Sequence, residues 1–393
     1  MGEVMKKLVE INSVCNGSTG NIMCNIAKEA NKQNFETYCF FGRGNPNTEV
    51  KCKKFGNKLT FYFHTFIARL GFNGRGSYFA TKKMVKELKK INPNVIHLHN
   101  IHGYYLNLKV LFKYLKKDYK GKVIWTLHDC WTFTGHCSHF TLAKCNKWKK
   151  SCSKCPQLNV YPKTLFDTSK KEYELKKKLF LGLNDLTLIT PSIWLKKLVE
   201  KSFLKEYKVK VINNGIDLNI FKPTYDEAIY EKYNIPKEKK ILLGISSVWG
   251  ERKGLNDINK LHDIIDNKYQ IIIVGKILEK QKKDGIIYIE RTDNLKELAK
   301  IYTIADYLIN FTYEDNYPTV NLEAIACHTP VITYNTGGCP EQVNDETGVV
   351  FKKNQIKEIA SFLNKKIKLE INNNNNVNST LDMINDYIRI IKQ

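Results

Sequence analysis

No apolar run in the 393 residues approaches the ~18 that a membrane-spanning helix needs, so nothing in the sequence reads as a bilayer span. The opening stretch MGEVMKKLVEINSV has no uninterrupted apolar core ahead of a small-residue cleavage site. It therefore reads as the first strand of a fold, in a protein expected to stay in the cytosol. Acidic residues are scarce in one half only: residues 1–200 carry 35 Lys and Arg against 13 Asp and Glu, whereas 201–393 carry 28 against 26. A codon bias toward Lys, Asn and Ile acting on the whole chain would not divide the net charge of +24 so unevenly. An anionic partner for the first half is expected. The interleaved aromatic and basic modules of RNA-binding folds are missing, so that partner is not expected to be nucleic acid. No D-x-D pair, the usual holder of a divalent cation on a diphosphate, is present. The eleven cysteines are odd in number and lack the regular spacing of a secreted disulfide framework, which fits a reducing compartment.

Four of those cysteines stand apart. Cys137, Cys145, Cys152 and Cys155 fall within nineteen residues and end in C-x2-C, with His136 and His139 beside them. Four thiolates suit a structural zinc that would pin a long loop, although the x7 and x6 gaps are wider than common finger spacings. Reduced thiols in a packed loop fit the same residues equally well.

The length favours two domains. In the first half, KKLVEIN, TYCFFG, NVIHLHN and KVIWTLHD are short β-branched or aromatic runs separated by turns and helical stretches, the last two ending in histidines. In a doubly wound parallel sheet, such strand ends are where ligands bind. The segment VINNGIDLNIFKP looks like an interdomain connection, with a turn at Asn213–Gly215 closed by Pro223. The grammar then repeats in KILLGIS, YQIIIVGK, IIYIE, ADYLINF and PVITYN, with Asn294–Ile304 helical between them. The expected division is an N-terminal domain at 1–212, a C-terminal domain at 213–375 and a final helix at 376–393. The Asn run at 372–376 reads as a solvated tether. Leu381, Ile384, Ile388 and Ile391 recur at helical spacing behind a cap at Ser379 or Thr380.

Three turns carry chemistry. In YEDNYPTVNLEAIACHTPVITYNTGG (313–338), Pro318 suits the first turn of a helix whose free N–H groups would face the Asn316–Thr319 loop and attract an anion. Glu323, about a turn inside, is placed to accept hydrogen bonds from a vicinal diol such as a ribose, and Asp315 stands before the helix. A plain surface helix with an acidic first turn also fits. In SSVWGERKGLND (246–257), Arg252 and Lys253 open a helix after a strand, which suits a diphosphate or a solvated basic turn. NGSTGNI (16–22) is a small-residue turn that allows close backbone approach.

Taken together, VINNGIDLNIFKP, WGERKGL, IIIVGK and YEDNYPTVNLEAIACHTPVIT, in this order and spacing, resemble glycosyltransferase family 4 over nearly the whole chain. The TLHDCW, EDNYPTVNLEA and NTGG details look most like bacterial colanic-acid-type exopolysaccharide and capsule transferases. The resemblance implies an α/β GT-B fold: two Rossmann-like domains facing a cleft, with the C-terminal helix crossing back to the first. It implies a metal-independent retaining hexosyltransferase using a nucleotide-diphosphate sugar, UDP favoured over GDP, with no cofactor for catalysis. By the same resemblance, Glu323 holds the ribose, while Asn316, Tyr317, Pro318, Thr319 and Val320 surround sugar and phosphate. Arg252 and Lys253 take the diphosphate, and the loop of Gly17, Ser18, Thr19 and Gly20 covers it. His128 faces the donor sugar, and Asn214–Gly215 with Asp217 form the hinge. Asp315 replaces a family glutamate and is one methylene shorter, and Ser246–Ser247 stand where an arginine is common, a charge that Arg252 would supply.

The acceptor implied is a glycan or a polyprenyl-diphosphate-linked chain, met at the inner face of the cell membrane. For contact with that anionic surface, the run TKKMVKELKK sets lysines 82, 83, 86, 89 and 90 around Met84, Val85 and Leu88. The same run also suits a solvated face with a core-packed stripe. Two other functions fit the same scaffold: a nucleotide-sugar epimerase, and an inactive transferase binding anionic polymers.

Overall fold

The computed structural model describes residues 5–365, 369, 371 and 377–393; the Asn run at 372–376 lies outside the described residues. The chain forms two compact units, Met1–Ile212 with Ile384–Gln393, and Asn213–Met383.

In the first unit, seven parallel strands run β1 (Lys6–Val14), β2 (Phe35–Arg43), β3 (Cys52–Lys54), β4 (Val95–Leu98), β5 (Lys122–Thr126), β6 (Leu186–Thr190) and β7 (Lys208–Val211). Their order is β3-β2-β1-β4-β5-β6-β7. Strands buried on both faces read as continuous apolar runs rather than alternating ones. That is why VIHL and LTLIT, wholly buried, signal strands without a period of two. The order reverses between β1 and β4, so the chain after β1 and the chain after β4 emerge side by side. In a doubly wound sheet this crevice is the place for a ligand. Helix α1 (Gly17–Lys32) starts at that point.

The second unit repeats the plan with β8 (Lys240–Val248), β9 (Tyr269–Lys276), β10 (Ile287–Ile289), β11 (Tyr307–Asn310), β12 (Val331–Tyr334) and β13 (Gly348–Phe351), ordered β10-β9-β8-β11-β12-β13. Here the reversal lies between β8 and β11. Two apolar layers cover this sheet, one around Leu243, Ile272 and Leu308, the other around Leu242, Ile271 and Ile309.

The final helix, Thr380–Lys392, is capped reciprocally by Ser379 and Asp382: Ser379 Oγ accepts from the Asp382 N–H at 3.0 Å, and the carboxylate accepts from the Ser379 N–H at 3.2 Å. From Ile384 onward it belongs to the first unit. Lys122 Nζ donates to Ile390 O at 2.7 Å, and Tyr387 Oη lies 3.4 Å from Thr126 Oγ1. The return of this helix to the first unit, implied by the family resemblance, is therefore present.

The lysine run at 82–90 lies on the helix Tyr78–Ile91, where Met84 and Leu88 are buried in the core. Its apolar stripe is thus occupied by packing. The neighbouring helix Lys58–Arg69 behaves oppositely. It buries only His64 and Ala68, and it exposes Leu59, Tyr62, Phe63 and Phe66, four apolar side chains at helical spacing.

Candidate active site

The second unit brings its two candidate anion turns together because β8 and β11 are neighbours. Arg252 and Lys253 form a short 3-10 turn after β8, and Gly254 starts the helix Leu255–His262 at φ +77°. A Cβ on Gly254 would lie 2.2 Å from Phe311 O, so only glycine lets this turn rest against the end of β11. Tyr313 N donates to Arg252 O at 2.9 Å, and Arg252 Nη1 donates to Glu314 O at 3.0 Å. Lys253 Nζ meets Asp315 Oδ2 at 2.6 Å, with both side chains one-fifth exposed. The other oxygen of Asp315 accepts from the Asn316 N–H at 2.9 Å. Asp315 thus holds the lysine and the loop in place.

The helix Thr319–Ala326 follows, with Pro318 at its N-cap, one position earlier than a first-turn proline. Proline offers no capping side chain, so the first-turn N–H groups keep their positive end for a ligand. Behind this helix a polar ladder fixes the loop. Asn310 Nδ2 donates to Asn321 Oδ1 at 2.8 Å, Asn321 Nδ2 to Gln342 Oε1 at 3.0 Å, and Gln342 Nε2 to Pro318 O at 3.0 Å. Asn214 Nδ2 donates to Tyr317 O at 3.0 Å, giving the hinge asparagine a direct hold on the loop. The glycine pair serves it too: Gly337 sits at φ +57°, where a Cβ would be 1.8 Å from Asp315 O, and Gly338 N donates to Asn316 O at 2.9 Å. Glu323 is half-buried. Burial pushes its carboxyl above the usual range, opposed by hydrogen bonds from Tyr302 (2.9 Å) and Thr319. Arg252, Lys253, Asp315, Asn316 and Thr319 therefore lie on adjoining turns of one sheet edge, with Glu323 a turn inside the helix.

In the first unit, Asn16, Gly17 and Ser18 are exposed at the start of α1; the Asn16 side chain does not cap the helix and donates instead from Nδ2 to Asn45 O at 2.9 Å. Gly17 takes φ +76°, and a Cβ on Gly20 would lie 2.6 Å from the Cys15 carbonyl carbon. Asn12 Nδ2 donates to Thr19 Oγ1 at 3.2 Å, and Asn12 Oδ1 accepts from Asn100 N at 3.2 Å, so the glycine turn is tied to the end of β4.

His128, after β5, is joined to a buried chain of polar groups that the sequence signalled only through the histidines ending β4. His99 Nε2 lies 2.7 Å from Glu10 Oε2, and His99 Nδ1 lies 3.1 Å from His128 Nε2. His97 Nδ1 lies 3.1 Å from Glu10 Oε1, and its Nε2 lies 2.8 Å from Thr126 Oγ1. A carboxylate only accepts, so His99 donates from Nε2 and accepts at Nδ1, which makes His128 the donor from Nε2. Glu10 fixes that tautomer at two removes. Burial holds His97 and His99 down to about 3 and His128 to about 4, and it raises the Glu10 carboxyl.

Each ring's folded value lies below the ~6.5 of an unfolded histidine, so below that pH the unfolded chain binds more protons. The stability these neutral rings contribute is full above pH 6.5 and is lost as pH falls toward 4. Glu10 acts in the opposite sense, one carboxyl against three rings. The melting temperature is expected to drop as pH goes from 7 to 5, and a flat profile would contradict a neutral buried chain.

The loop after His128 places Cys137, Cys145, Cys152 and Cys155 around one cavity with His136, Phe140 and Trp148. The Gly135 N–H donates to Cys152 Sγ at 3.1 Å. Burial pushes the Cys137, Cys152 and Cys155 thiols up, Cys152 to about 11. Among the described residues, these four do not form one of the groups whose ligand atoms lie within 4.8 Å of one another.

Residues 19–220 match the sequence family described as Glycosyltransferase Family 4, and residues 226–380 match Glycosyl transferases group 1. The chain is 27% identical over 283 residues to the putative colanic acid biosynthesis glycosyl transferase WcaC of Escherichia coli, covering 69% of this chain and 67% of that one. Sucrose-phosphate synthase from Thermosynechococcus elongatus has the same fold, with a TM-score of 0.71 at 15% identity over 99% of this chain and 98% of that one. HepE of Anabaena, solved in complex with UDP and glucose, gives 0.67 at 13% identity over 98% and 99%.

Proposed function

The chain belongs to glycosyltransferase family 4, and from that premise we propose that it moves a hexose with retention from a UDP-sugar to a growing bacterial surface glycan. The observation that carries this reading is the pairing of the Arg252–Lys253 turn with the Asp315–Val320 loop at the switch point of the second sheet. Both cations and the uncapped helix end stabilise the departing diphosphate, where charge builds in the transition state. The leaving phosphate takes the acceptor hydroxyl's proton as the new bond forms on the same face, and no metal is needed. Glu323 accepts from the ribose hydroxyls. Asp315 positions Lys253, and His128 meets the sugar as a neutral hydrogen-bonding group. A thermal shift with UDP, GDP and an oligonucleotide tests the reading. UDP is expected to stabilise the protein most, and a shift with the oligonucleotide alone would overturn it.

The acceptor we assign is carried on a polyprenyl diphosphate, with the first unit resting on an anionic membrane. Its support is the apolar stripe Leu59, Tyr62, Phe63 and Phe66, with Phe79 also exposed, in a half with 22 excess positive charges. A helix presenting apolar side chains in a lysine-rich domain suits the headgroup boundary, and each lysine near an anionic leaflet adds about 1 kcal/mol. The protein is expected to sediment with phosphatidylglycerol vesicles at low salt and to be released as salt rises, and Phe63→Glu with Phe66→Glu should abolish sedimentation at any salt. Equal recovery in the supernatant with anionic and neutral vesicles would remove the membrane from the account. A structural zinc on Cys137, Cys145, Cys152 and Cys155 belongs to the same reading, supported by their shared cavity and by the N–H bond to Cys152.

A further inference from the structure

Four other cysteines converge where no motif announces them. Cys15 follows β1, Cys24 lies in α1, Cys39 in β2 and Cys52 in β3. Register alone sets Cys39 opposite Cys52. Cys15 Sγ is 3.3 Å from Cys52 Sγ, and the sulfurs of Cys15, Cys24 and Cys52 all lie within 4.8 Å of one another. Cys39 packs with Cys15 and Cys24 in the same buried cluster, beside Cys52 in register. Met23, Ala27 and Phe41 enclose the group.

We propose that Cys15, Cys24, Cys39 and Cys52 bind a single soft d10 cation, zinc in the first instance, which clamps the glycine turn at the start of α1. A tetrahedral zinc tetrathiolate has Zn–S bonds of about 2.3 Å and hence S···S separations of about 3.8 Å. The Cys15–Cys52 pair, at 3.3 Å, lies a little inside that value, and Cys24 lies within 4.8 Å of both. These separations are too long for a disulfide, whose sulfurs sit about 2.05 Å apart. They are too close for a multinuclear iron–sulfur cluster, which spreads its cysteines around several metal atoms. Thiols of soft character in an apolar shell, with Cys52 at its partly exposed edge, select such a cation over hard ones. Binding exchanges four S–H protons for one Zn²⁺, leaving a dianion with no change of oxidation state. Glu49, the acidic neighbour on this side, is paired with Lys28 at 3.1 Å. The other close ligand set among the described residues, Glu10 with His97 and His99, spends its atoms on mutual hydrogen bonds. The consequence lies one residue away: Cys15 precedes Asn16, and Gly20 packs on the Cys15 carbonyl. The ion would fix the turn from beneath.

Metal analysis of the tag-free full chain, expressed with added zinc, tests this. Cys24→Ser with Cys52→Ser is expected to remove about one equivalent of zinc per chain, while Cys152→Ser with Cys155→Ser leaves that equivalent in place. Should the core variant fail to fold, cobalt substitution of the wild-type chain and of the loop variant serves instead, both showing the ligand-field bands of a tetrahedral tetrathiolate. A wild-type chain without zinc or cobalt–thiolate bands, or a loss confined to the loop variant, would overturn the proposal.

Discussion

Lys253→Ala is expected to lower kcat by about 10²- to 10³-fold, the usual cost of removing one preorganised group from the charge that develops in a transition state. Lys253 reaches its place through a short turn that only Gly254 allows, and the Asp315 carboxylate holds its ammonium at 2.6 Å. When a diphosphate arrives, the lysine is already desolvated on one side and aimed. Asp315→Asn keeps the size of the side chain but loosens that hold, so it should lower kcat less than Lys253→Ala does. Steady-state kinetics with saturating donor would check the order. A Lys253→Ala enzyme with unchanged kcat and only a raised KM would mean that the lysine binds substrate and transition state alike.

Glu323→Ala should weaken UDP binding by roughly 1.5–3 kcal/mol, the worth of a hydrogen bond to a charged group, or about 10- to 150-fold in Kd. The carboxylate is half-buried and receives Tyr302 and Thr319, which fix its orientation. Calorimetric titration would read the change. Glu323→Gln, which keeps an acceptor oxygen but not the charge, should fall between wild type and alanine. Equal UDP affinity in Glu323→Ala and wild type would remove Glu323 from the ribose.

What the sequence reveals of this site depends on how local each part is. The two turns assigned here to the donor were legible as a pair of anion-suited turns because each falls on one continuous stretch, 249–255 and 313–323, a strand end running into a helix. Pro318 and Glu323 are spaced by the helix they occupy, so spacing carries geometry. The chain Glu10–His99–His128 was not legible, because its members lie on or just after β1, β4 and β5 and meet only through sheet register. Glu10 itself sits inside an apolar strand and carries no sequence signal of its partners. The cysteines divide the same way. The cluster ending in C-x2-C drew attention by proximity in sequence, whereas the closer gathering of sulfurs, at 15, 24 and 52 with Cys39 beside them in register, is produced by strand pairing and one helix turn. The surface stripe shows a third case. The lysine run at 82–90 is where the sequence looked for a membrane face, yet Met84 and Leu88 pack inward, and the exposed apolar face belongs to Lys58–Arg69. Periodicity shows that a helix has an apolar side but not what that side meets.

Retaining transfer from a UDP-hexose can be read by following anomeric proton signals while the full chain turns over UDP-hexoses with a polyprenyl-diphosphate glycan extract. The predicted result is loss of the donor's anomeric signal, release of UDP and growth of a glycosidic signal with the donor's α configuration. Conversion of one UDP-hexose to another without UDP release, or a product of inverted configuration, would contradict it.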